Sequence, residues 1–162
     1  MSASFDLIAL HESGHAVVAR LVGVQVVSAV AGDDPGVRTR YKPATTAAED
    51  VATNEKLALV DLAGAAAEWM RLREGWKTDE RSAMGRALGI VILRRGLARD
   101  AEVTSEMREE AVELVERLRV QAVEMVEKNL PLIVRVAGAL AAGATLSGPE
   151  VDALIEDYKQ GG

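Results

Sequence analysis

The sequence predicts a mainly α-helical fold with one small β-hairpin, and three observations lead to this prediction. Most of the chain places apolar residues at helical spacing, with capping residues ahead of several segments. One short run, 24–30, is rich in β-branched residues and precedes a Gly- and Pro-containing turn at 32–36. The 162 residues are 49% hydrophobic, which is enough to form the core of a single domain.

The first predicted helix carries both histidines of the chain. Ser2 or Ser4 can cap its start, and Asp6 suits the positive end of the helix dipole. One apolar stripe runs along it and includes the histidines: Leu7, His11, Gly14, His15, Val18 and Val22. Gly14 costs about 1 kcal/mol in a helix interior relative to Ala, so we expect another part of the chain to pass close to its backbone.

The remaining elements follow from turn and capping signals. Strands are predicted at 24–30 and 37–41, paired as a hairpin. A capping box at Thr46–Glu49 predicts a helix to about Leu72, and a Thr78 cap predicts a helix over 79–95 that stops at Gly96. A Thr104 cap predicts a helix over 105–128, and the break at Asn129 and Pro131 precedes a helix to about Ala142. A second capping box at Ser147–Glu150 begins the last predicted helix, which runs through Tyr158.

Composition excludes several classes of function. The net charge of −6 argues against nucleic-acid binding and against a basic membrane-binding patch. The absence of cysteine excludes disulfides and thiolate catalysis. No signal-peptide pattern opens the sequence, and no apolar run reaches the length of a membrane span. We therefore expect a soluble, cytoplasmic protein with no membrane span.

Residues 11–15 read H-E-x-x-H, which is the most informative motif of the chain. On a helix, His11 and His15 lie on one face and can present two imidazole nitrogens to one metal ion. Glu12 lies beside them, where its carboxylate can act as a general base. The alternative is that two histidines of structural role happen to be four residues apart.

A catalytic zinc ion usually takes three protein ligands, so two histidines are not enough. No other His and no Cys is present, so the third ligand would be a carboxylate. Two candidates stand out, Glu68 on the second helix and Asp79 at the start of the third. Spacing alone does not choose between them.

Four blocks of the sequence resemble the peptidase domain of FtsH-type ATP-dependent zinc metalloproteases. They are 8–16 (IALHESGHA), 62–68 (LAGAAAE), 75–83 (GWKTDERSA) and 145–151 (TLSGPEV). These are similar to the family's H-E-A-G-H-A helix, its L-x-G-R-x-A-E helix, its N-D segment and its closing E-T-L-x-G-E-E-I motif. The blocks come in the family's order and extend over nearly the whole chain.

The resemblance implies a single domain over 1–162, with a metal-site half (1–98) and a C-terminal helical bundle (99–162). It implies a small β element near the active site that can hold an extended peptide, here the strand at 24–30. It also implies a Zn²⁺ ion held by His11, His15 and Asp79, with Glu12 as the catalytic base and Glu68 in a supporting role.

The chain departs from the family pattern at several points. Ser13 replaces an Ala, Ala65 replaces the Arg of the second motif, and Glu80 replaces a Leu beside the expected third ligand. No phosphate-binding G-x-x-x-x-G-K-[ST] loop is present in this sequence. A separate AAA ATPase would then supply unfolded substrate, unless the substrates are already unfolded. The resemblance also implies a homo-oligomer, with a hexamer as one form.

The expected function is hydrolysis of peptide bonds in unfolded or loosely folded polypeptides by a zinc metalloendopeptidase. Two alternatives remain open. The first is a zinc-holding, protease-like module that binds peptides or a partner without cleaving. The second is a helical oligomerisation domain without metal.

Overall fold

The computed structural model describes residues 3–32, 39–42, 50–73, 80–143 and 145–161. Within these ranges the chain forms six helices and three strands, in the order α1 (Ala3–Leu21), β1 (Gln25–Val30), β2 (Arg40–Lys42), α2 (Val51–Leu72), α3 (Glu80–Arg94), α4 (Ser105–Lys128), α5 (Leu130–Gly143), β3 (Thr145–Ser147) and α6 (Gly148–Gly161). The prediction of a mainly α-helical fold with a small antiparallel sheet is confirmed.

Helix α2 begins later than the sequence suggested. Its N-cap is Asp50, whose carboxylate accepts hydrogen bonds from the backbone N–H groups of Ala52 (3.2 Å) and Thr53 (3.0 Å). The predicted cap at Thr46 is therefore wrong as the start of the described helix; Thr46 itself lies outside the described residues. A carboxylate satisfies two of the free N–H groups at a helix start, which a hydroxyl cannot do as well.

Other helix ends match their local signals. Gly96 follows α3 with a positive φ of 64°, which glycine adopts without strain. Thr104 caps α4 by accepting a hydrogen bond from the N–H of Met107 at 3.2 Å. At the start of α6, Glu150 accepts a hydrogen bond from the Ser147 N–H at 2.7 Å, and the predicted capping box is confirmed. The predicted Thr78 cap lies outside the described residues.

The sheet has the strand order β2-β1-β3, with both pairings antiparallel. The predicted hairpin of β1 and β2 is confirmed, with a register irregularity between Val26 and Ser28. Strand β3 was not predicted, because three residues give too short a pattern to recognise. It pairs with the second half of β1, so β1 lies between two strands. Among the described strands, the outer edges of the sheet therefore belong to β2 and β3.

One continuous core joins both ends of the described chain. Helix α1 packs against α2 and α5, and α2 packs against α3 and α4. The core is built from aliphatic residues and Met, with Leu62, Ile90, Met107, Ile133 and Leu140 among its largest fully buried side chains. No helix among the described residues is both long and apolar enough to cross a membrane.

Candidate metal centre

Two glycines bring α1 and α2 unusually close together. A Cβ added to Gly14 would lie 2.6 Å from the carbonyl oxygen of Ala63 and 3.0 Å from the Cβ of Ala67. The expectation that the chain passes close to Gly14 is confirmed, and α2 is the element that does so. His11 lies against Glu68, whereas His15, one turn further along α1, lies against Val60, so the two helices run antiparallel.

Gly64 performs the reciprocal role on α2, directly beneath the histidine rings. A Cβ there would lie 2.5 Å from His15 Nε2 and 2.7 Å from His11 Nε2. Any larger residue would therefore push the rings away from α2. The absence of a side chain at this position gives both imidazoles a flat surface of helix backbone against which to pack.

The two histidines turn the same ring nitrogen toward each other. His11 Nε2 and His15 Nε2 are 3.0 Å apart, and the ring planes meet at 82°. His11 is buried, with 7% of its surface exposed, while His15 is partly buried. The prediction that these side chains share one face of α1 and point into the protein is confirmed.

The opposite nitrogen of each ring faces an acceptor on α2. His15 Nδ1 is 2.6 Å from the carbonyl oxygen of Val60, and His11 Nδ1 is 3.0 Å from Glu68 Oε1. A carbonyl oxygen has no proton to donate, and a carboxylate likewise favours a proton on the nitrogen that it faces. The Val60 carbonyl thus favours a ring proton on Nδ1 of His15, and the Glu68 carboxylate lies within ion-pair distance of Nδ1 of His11.

Two imidazole nitrogens at this distance share either a proton, as in a hydrogen bond, or a cation that both of them bind. Two imidazole nitrogens on one tetrahedral zinc ion, each at about 2.0–2.1 Å, lie roughly 3.3 Å apart. Metal-binding histidines also commonly donate their other N–H to a carbonyl or a carboxylate. Both rings of this pair thus fit a zinc site in donor type, spacing and outer partners.

Glu12 is buried against the start of strand β2. Its carboxylate Oε2 accepts a hydrogen bond from the backbone N–H of Thr39 at 2.7 Å, and only 5% of the residue is exposed. The Thr39 hydroxyl donates a second hydrogen bond to the Glu12 backbone carbonyl at 3.2 Å. The β element thus lies next to the H-E-x-x-H helix, as expected. Nothing in the sequence signalled Thr39.

The two carboxylate candidates for a third ligand have different standings. Asp79, which the resemblance favours, lies outside the described residues. Glu68 lies on the Nδ1 side of His11, away from the paired Nε2 atoms, so its position suits a supporting role. Within the described ranges, no cluster of three His, Cys, Asp or Glu side chains could hold a metal ion.

An ion pair beside the centre was also missed by the sequence reading. Asp61 follows Val60 and is buried, and its Oδ2 atom lies 2.5 Å from Arg86 Nε on α3. The pair links α3 to α2 next to the carbonyl group that faces His15. A polar residue inside an otherwise apolar run of α2 was the available signal.

In comparisons with known proteins, no family model matches this chain and no curated protein matches its sequence. The resemblance to FtsH-type peptidases therefore depends on the four sequence blocks alone.

Proposed function

We propose that this chain is a zinc-dependent metalloendopeptidase of the FtsH type, which hydrolyses peptide bonds of unfolded or loosely folded polypeptides. One observation carries the proposal. His11 and His15 point their Nε2 atoms at each other over Gly64, while Val60 and Glu68 face the two Nδ1 atoms. The spacing of the Nε2 atoms and the acceptors behind the rings match two imidazole ligands of one zinc ion.

The proposed zinc ligands are His11, His15 and Asp79. The two histidines supply neutral imidazole nitrogens, and Asp79 supplies the carboxylate that the resemblance assigns to this role. When bound, zinc would lower the pKa of a coordinated water and polarise the scissile carbonyl. Glu68 would hold His11 in the required tautomer and orientation without binding the metal.

Glu12 is the proposed general base. It would take a proton from the attacking water and pass it to the leaving amine. A purely structural metal site has no use for a buried carboxylate at this position, one residue from a ligand. The presence of Glu12 therefore favours catalysis over a silent zinc-binding module.

The proposed substrate is an extended polypeptide that pairs with the outer edge of β2. That edge has no further strand on it among the described residues, since the sheet order is β2-β1-β3. Backbone pairing reads little side-chain information, so substrate choice would be broad. A separate AAA ATPase and a homo-oligomeric ring belong to the proposal through the resemblance only.

The test is cleavage of an unfolded casein by zinc-loaded wild type and by Glu12→Gln. We expect the variant to keep its zinc and to lose at least about a hundredfold in kcat, since the proton acceptor is removed. Glu124→Gln, an exposed position on α4, is the matched control and should cleave like the wild type. Equal cleavage by wild type and Glu12→Gln would contradict the mechanism. Zinc binding without any cleavage would support the silent module instead.

A further inference from the structure

The contact between Thr39 and Glu12 joins the sheet to the H-E-x-x-H helix at the proposed base itself. Thr39 immediately precedes β2, and it bonds Glu12 twice: through its N–H to the carboxylate (2.7 Å) and through its hydroxyl to the backbone carbonyl (3.2 Å). Thr39 is partly buried and Glu12 is buried, so water competes little for these bonds.

A backbone donor restrains a carboxylate differently from a side-chain donor. The N–H of Thr39 is fixed by the pairing of the next residue, Arg40, with Ser28 of β1. It cannot turn away by a rotamer change. A free glutamate side chain samples several rotamers, and holding it in one orientation costs conformational entropy that a hydrogen bond to a fixed donor can offset. The rigid N–H group thus fixes Glu12 Oε2 and leaves Oε1 as the oxygen available to accept a proton.

We propose that Thr39 is the positioning residue of the base: its backbone N–H orients the Glu12 carboxylate and couples that orientation to the placement of strand β2. This inference rests on the proposed peptidase function. It predicts that the same strand whose outer edge would receive the peptide also fixes the group that transfers the proton. Disturbing Thr39 should therefore slow turnover without weakening zinc binding.

Three variants separate the two bonds. Thr39→Pro removes the N–H, Thr39→Ala removes only the hydroxyl, and Thr39→Ser keeps both. We expect Thr39→Pro to lower kcat for casein cleavage by roughly ten- to a hundredfold, with KM and zinc content within about twofold of wild type. Thr39→Ala should lose no more than about threefold, and Thr39→Ser should match wild type.

An activity-independent measurement tests the contact itself. We expect the Thr39 amide hydrogen to exchange slowly in the wild type and roughly tenfold or more faster in Glu12→Ala, the size expected for losing one charge-assisted hydrogen bond. Glu124→Ala is the control and should leave this exchange rate unchanged. This measurement decides the case if Thr39→Pro fails to fold.

The outcomes separate the inference from the proposed function. If the wild type cleaves casein and folded Thr39→Pro keeps its full kcat, the inference is overturned and the function stands. If Glu12→Ala leaves the Thr39 exchange rate unchanged, the inference is overturned whatever the activity. If zinc-loaded wild type cleaves nothing, the proposed function fails, and the positioning role fails with it.

Discussion

The α1–α2 interface and the surface shared by α2, α3 and α4 use polar residues in opposite ways. At the interface, polar groups face partners at fixed positions on the neighbouring helix: His15 Nδ1 faces the Val60 carbonyl and His11 Nδ1 faces Glu68. At the surface, partners are shared. Glu55 accepts hydrogen bonds from both Arg94 (2.6 Å) and Arg117 (3.1 Å).

The difference shows where the structure depends on particular residues. Exposed ion pairs gain little in water and tolerate substitution, since their charges stay solvated when a partner is lost. The α1–α2 interface instead depends on Gly14 and Gly64, which have no room for a side chain, and on the Val60 carbonyl, whose position is fixed by the helix. A substitution at the α1–α2 interface is therefore expected to change the geometry of the histidine pair as well as the free energy of unfolding.

The largest effect is expected for Gly64→Ala. The added methyl group would lie 2.5 Å from His15 Nε2 and 2.7 Å from His11 Nε2, so one ring must give up its partner on α2. We expect a loss of about 2–3 kcal/mol in unfolding free energy and of zinc binding, measured by urea unfolding and by zinc titration. The matched control is Gly85→Ala on α3, where nothing lies within 4 Å of the added Cβ. That variant should gain about 0.5–1 kcal/mol from helix propensity. Equal behaviour of the two variants would contradict the close packing of α1 on α2.

The next largest effect is expected for Arg86→Met. It leaves the carboxylate of Asp61 buried without this guanidinium, at a cost of about 2 kcal/mol, because Asp61 is buried while Arg86 remains partly exposed. The exposed counterpart, Arg94→Met, should cost less than about 0.5–1 kcal/mol. Urea unfolding of both variants tests the comparison, and an equal loss for the two would show that burial does not distinguish them.

Ser13→Ala should stabilise the protein. The Ser13 hydroxyl is fully buried and has no hydrogen-bond partner among the described residues. Removing it should raise the unfolding free energy by about 1 kcal/mol, since a buried polar group without a partner carries an uncompensated desolvation cost. Thermal and urea unfolding measure this. A loss of stability would contradict this prediction and would indicate that the Ser13 hydroxyl makes a stabilising hydrogen bond.

The smallest effect is expected at the exposed start of α6. Hydrogen bonds from the Ser147 hydroxyl and N–H lower the pKa of Glu150 below its usual value of 4.5. The ionised carboxylate therefore stabilises the fold above that value, and this contribution is lost as the pH falls through the lowered pKa. Glu150→Gln should be less stable than wild type near neutral pH and equal to it in strong acid. An unchanged difference across the range would contradict the pKa shift.

Local signals explain why most of the fold was predictable. The cap at Thr104, the stop at Gly96 and the box at Ser147 each depend on neighbours in sequence, and all three predictions are confirmed. Strand β3 was missed because its formation depends on β1, more than a hundred residues earlier in the chain. The cap of α2 was misplaced because the Thr46–Glu49 pair matches the capping-box pattern, whereas Asp50, four residues after Thr46, caps the helix.

The candidate site likewise has features that the local sequence predicts and contacts that it does not. The pair of His11 and His15 and the Glu12 between them follow from helical periodicity alone. The groups that contact these side chains could not be predicted in this way. The Val60 carbonyl is a backbone group without a sequence signature, and Thr39 contacts Glu12 from another element. Among these partners only Glu68 was named from the sequence, as a carboxylate on the second helix.

The most direct test of the account is the zinc content of the purified protein after zinc loading and desalting. We predict one zinc ion per chain in the wild type and little or none in His11→Ala or Asp79→Ala. Glu68→Ala should still fill at saturating zinc, with affinity roughly 10–100-fold weaker, as expected for a residue that supports a ligand. Wild-type protein that retains no zinc, or His11→Ala that retains a full equivalent, would contradict the central claim that the paired histidines form a metal centre.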